Sequence, residues 1–128
     1  MLKLLSTCAV LTLLTACQSA SSGRQLAGLT PAQIKAAQAQ DAATAQAEFA
    51  RCDASSTSIL EVTKCKAAVR ERYIIPYASP QEQRISRILV SQNIGLAEKI
   101  ARGEITEAQA RSQYAAIVRT VMAQEGQR

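Results

Sequence analysis

The chain has 128 residues, 48% hydrophobic and 20% charged, with 3% aromatics, four cysteines and neither tryptophan nor histidine. That length fits one small domain, and the composition excludes a wholly disordered chain. Abundant alanine and scarce large side chains favour closely packed helices over a sheet. The net charge of +5 is mild. It is consistent with attraction to anionic lipid or cell-wall polymer, and equally with a solvated surface, which is the simpler reading.

Met1 to Lys3 gives a short positive start, and Leu4 to Leu14 gives an apolar run interrupted only by Ser6, Thr7 and Thr12. This is the layout of a secretory signal peptide. The run is too short to span a bilayer, which takes about 18 apolar residues or more. Leu14, Thr15 and Ala16 then precede Cys17.

Those four residues resemble the lipobox of bacterial lipoproteins. The resemblance implies cleavage before Cys17 and a diacylglyceryl thioether on its sulfur, usually with a third acyl chain (palmitate or a similar fatty acid) on its amino group. Residues 1–16 are then signal peptide, 17–29 a lipidated tether and 30–128 a helical domain. Gln18 stands where an aspartate retains enteric lipoproteins at the inner membrane, so the likeness points to the outer membrane, facing the periplasm. Loss of Lys3 leaves 14 basic against 10 acidic residues, or +4.

Cys8 leaves with the signal and Cys17 is modified, so Cys52 and Cys65 remain. In an oxidising compartment two leftover cysteines most often pair. Zinc is the competing use, but the spacing is not C-x-x-C and no histidine can complete a tetrahedron. No metal or other cofactor is expected.

Gln18 to Arg24 is rich in serine, lacks periodicity and reads as a flexible tether. From Thr30 onward one signal recurs, a Ser or Thr followed three residues later by Glu or Gln: Thr30/Gln33, Ser58/Glu61, Ser79/Glu82 and Thr106/Gln109. Each fits a capping box, in which the hydroxyl accepts from a backbone N–H and the longer side chain accepts from the cap's own N–H. Four such starts predict four helices in αα-hairpins, an all-α fold.

The first helix is expected from Pro31 to about Arg51. Alanine dominates it, with Ile34 and Phe49 its only large apolar residues, so it should form readily and dock least firmly. Asp53 to Thr57 reads as a turn. The second helix, Ile59 to about Tyr73, carries an apolar stripe of Ile59, Val62, Val69 and Tyr73 with Cys65 at its edge.

Tyr73, Ile74, Ile75, Pro76 and Tyr77 form the most apolar stretch of the mature chain, and Pro76 ends the helix. We read it first as a lid over the end of the helices. The alternative is a partner-contact surface made by Tyr73, Ile74, Ile75 and Tyr77.

The third helix is expected from Pro80 to Arg102 on Ile85, Ile88, Leu89, Leu96 and Ile100, with Val90 and Ile94 marking a second covered face. Gly103 should end it as a C′ residue. The fourth, from Glu107 to about Gln124, offers Ala110, Tyr114, Ile117, Val118 and Val121. The connection Gly103 to Glu107 resembles the Gly-x-Ile-Thr turn of many short bacterial helical hairpins, a likeness of geometry without chemistry.

An enzyme is poorly supported. Without histidine there is no ordinary imidazole base, Glu82 and Glu107 have helix-start explanations, and no phosphate-binding loop appears. A non-enzymatic binding or assembly module is the preferred expectation, joined to the membrane through Cys17 and to another envelope protein, with no nucleic-acid partner. In size, anchor and disulfide such a module is similar to the small helical pilotins of secretion systems, an analogy of architecture alone. A structural or surface-exclusion lipoprotein is the alternative.

Overall fold

The computed structural model describes residues 26–126, so the expected signal peptide, Cys17 and most of the expected tether lie outside the described residues. The fold is all-α. Four helices follow in order: α1 (Pro31–Ser55), α2 (Ile59–Tyr73), α3 (Pro80–Ala101) and α4 (Glu107–Glu125), with a 3-10 turn at Ile75–Tyr77 between α2 and α3. No strand occurs among the described residues.

Three of the four expected capping boxes are closed, at Thr30/Gln33, Ser79/Glu82 and Thr106/Gln109. In the second, hydrogen bonds from the Ser79 side chain and backbone hold the Glu82 carboxyl below its ordinary pKa. The fourth does not form. Ser58 still precedes α2, but its side chain caps nothing, and its N–H donates instead to Ser56 Oγ at 3.0 Å. Ser56 thus takes the donor that Glu61 would have taken, because a serine two residues back reaches the same N–H through a tighter local turn.

α1 also runs four residues beyond its expected end, through Asp53, Ala54 and Ser55. Ser55 Oγ donates to the Cys52 carbonyl, and Lys66 on α2 pairs with Asp53 at 2.6 Å, so residues that favour turns are held in the last helical turn. The connection to α2 shrinks to residues 56–58.

Packing follows chain order: α1 lies on α2, α2 on α3, and α3 on α4. α3 therefore has neighbours on two sides, which explains why Val90 and Ile94 are half-buried beside the main stripe that includes Leu96. Gly95 leaves α3 uninterrupted.

The α3–α4 turn is a Schellman motif. Gly103 adopts φ +72°, its N–H donates to Ile100 O, and the Glu104 N–H donates to Lys99 O, each at 2.9 Å. Only glycine adopts that φ without strain.

α1 was expected to be the weakest partner. Its partner is α2, yet a buried cluster sits at that contact: Ala45, Cys52 and Val69, ringed by Phe49, Cys65 and Tyr73. Ala37, Asp41, Ala45 and Cys52 form the buried stripe of α1, so small side chains let the two helices approach closely. At 25 residues, or about 37 Å, α1 is longer than the 15-residue α2. The excess is secured by Asp41, 4% exposed, whose carboxylate accepts a 2.6 Å hydrogen bond from the Tyr77 hydroxyl.

Glu125, also 4% exposed, ties the end of α4 to the start of α3. Its carboxylate pairs with Arg84 at 2.9 Å, and its carbonyl accepts from Gln81 Nε2 at 2.8 Å.

Val121 and Ile117 were both expected inside. Val121 is 8% exposed, but Ile117 is only half-buried. Val121→Ala should therefore cost about 2 kcal/mol in urea unfolding and Ile117→Ala about half as much. Equal costs would contradict this arrangement of α4 on α3.

Candidate functional site

Cys52 and Cys65 form a disulfide with their Cα atoms 5.7 Å apart, within the usual span for an unstrained bridge. It sits inside the α1–α2 contact, where Cys52 is 1% exposed. Its position makes it a staple of the hairpin.

The apolar stretch after α2 is mostly used within the fold. Ile75 is 2% exposed, Tyr73 packs on the α1–α2 cluster, and Tyr77 binds Asp41. Ile74 alone of the four candidate contact residues points outward, at 41% exposure. The side chains of this stretch face different ways because it coils as a 3-10 turn.

Two concave surfaces stand out. A groove of about 400 Å³ runs between α3 and α4, lined by Ile88 and Gln92 on one side and by Ala116, Ile117, Thr120, Val121 and Gln124 on the other. Among the described residues no charged side chain lines it. A smaller hollow of about 160 Å³ lies where α2, α3 and α4 meet near the Gly103 turn, with Leu96, Ala97, Ile100 and Ala110 at its floor and Ile59, Glu107 and Arg111 among its walls.

The groove can accept apolar side chains, while Gln92 and Gln124 can hydrogen-bond to a partner's backbone. Among the described residues no group of His, Cys, Asp or Glu could hold a metal ion. No described helix is long and apolar enough to cross a membrane.

The α3–α4 groove shares no residue with the contact surface expected at Tyr73, Ile74, Ile75 and Tyr77. Its signal was present in Ile88, Ile117 and Val121, but periodicity assigned all three to the core. Ala116 and Thr120 widen the groove by being too small to fill it. The buried Asp41 was also missed, although its position between Ala37 and Ala45, each one turn away, placed it on the buried stripe.

No protein-family model, curated protein or solved structure matches this chain.

Proposed function

We propose that this protein is a lipid-anchored envelope protein facing the periplasm, built as a non-enzymatic accessory that binds another envelope protein. The anchor reading is supported by Leu14 to Cys17, with a short apolar run before and a serine-rich segment after. The binding reading is carried by the uncharged α3–α4 groove, whose apolar floor and amide rim suit a segment of a partner protein.

Ala116→Arg and Thr120→Arg test this. Both positions are exposed and line the groove, so arginine there should leave the melting temperature within a few degrees while blocking an apolar partner. Crosslinking in intact cells should show a partner with the unaltered protein and lose it with either variant. Retention of the same crosslinked partner by both variants would refute the groove as its site.

A further inference from the structure

The structure gives the molecule two distinct ends. Asp41 meets Tyr77, and Glu125 meets Gln81 and Arg84. The start of α1, the 3-10 turn, the start of α3 and the end of α4 therefore share one end, from which the segment holding Cys17 leaves. The 56–58 connection and the Gly103 turn belong to the opposite end.

Charge divides unevenly between these ends. Toward the Gly103 turn, four ion pairs neutralise the surface: Glu48 with Arg51, Asp53 with Lys66, Glu104 with Arg102 and Glu107 with Arg111. Lys64 and Lys99 remain there and are offset by Glu61 and Glu98. At the tether end, Glu125 and Glu71 are paired with Arg84 and Arg87, and Asp41 is buried.

The surplus at the tether end is Lys35, Arg70, Arg72 and Arg119 against Glu82, which is engaged in its capping box. Of the three exposed large hydrophobic side chains among the described residues, Ile74 and Met122 belong to this half as well, at 41% and 52% exposure.

We infer that the tether end is a docking surface for an anionic phospholipid bilayer. Its cations attract the headgroups, and Ile74 and Met122 supply apolar contacts at the interface. On α4, Met122 and Arg119 lie about 130° or more around the helix from the middle of the groove-lining face, so bilayer contact leaves the α3–α4 groove open. The orientation this gives the domain rests on the Cys17 anchor; the surface itself does not.

The test uses residues 17–128 with Cys17→Ser, a chain that retains every described helix, cap and the disulfide but carries no acyl chain. It is floated at low ionic strength with vesicles of phosphatidylcholine alone or with about one third phosphatidylglycerol. Binding should require the anionic lipid and fall with salt. Lys35→Glu with Arg119→Glu should lower it about twentyfold or more.

Lys64→Glu with Lys99→Glu makes the same change in net charge at the opposite end and should lower it far less. None of these four side chains makes a hydrogen bond or ion pair within the described residues, so both variants should keep the parent's helical circular dichroism and melt. Equal losses for the two variants, or equal binding to both vesicle types, would overturn the inference. Failure here leaves the anchor untouched, because fatty-acid labelling of Cys17 reads that separately.

Discussion

Replacing Cys17 by serine should abolish fatty-acid labelling and release the protein from the membrane fraction, or leave it unprocessed. The thioether of a lipoprotein needs the cysteine sulfur, and a serine hydroxyl cannot take its place. Two or more acyl chains, at about 0.8 kcal/mol for each buried methylene, make anchoring close to all-or-none. Weak contact through the tether end would be washed away by salt. Undiminished labelling and membrane retention of Cys17→Ser would defeat the lipoprotein reading.

Removal of the Cys52–Cys65 bridge should produce the largest loss of stability of any change near α1. Closing a loop of this size contributes about 3 kcal/mol in the chain-entropy model, against a total of about 5 to 15 for a small domain. The effect should be felt chiefly by α1, because its buried stripe is alanine-rich and buries little area per residue. Urea unfolding of oxidised and reduced protein measures the loss. Thiol reagent should label neither cysteine in denatured protein until reductant is added. An unchanged midpoint on reduction would mean that Phe49, Tyr73 and the Asp41–Tyr77 bond hold α1 without the bridge.

Helix number and most helix starts were legible because capping is local chemistry, written in four residues. The bounds of α2 agree with their expected values, and α3 ends one residue early at Ala101. Legibility fell where two local solutions competed. Ser56 and Glu61 could each satisfy the Ser58 N–H, and only the path of the 56–58 turn decides between them. The end of α1 depended on Lys66, a residue of the next helix, reaching back to Asp53. Partial burial was harder still. Ile117 and Val121 share one apolar stripe and line the same groove, but beside the small Ala116 and Thr120 Ile117 is only half-buried, while Val121 is 8% exposed. That distinction depends on the separation of α3 and α4, which no periodicity records.

Helices packed in chain order could fold one after another if, as proposed, the chain crosses a membrane N-terminus first. Each helix rests on the one before it, so no element must wait for a distant partner, and contacts are short in sequence. The hairpin of α1 and α2 can assemble, and its two sulfurs can be oxidised, while α3 and α4 are still within the export channel. On the proposed lipoprotein reading, α3 and α4 would then be added one at a time to a stapled base already fixed to lipid, and the α3–α4 groove would be the last surface to exist.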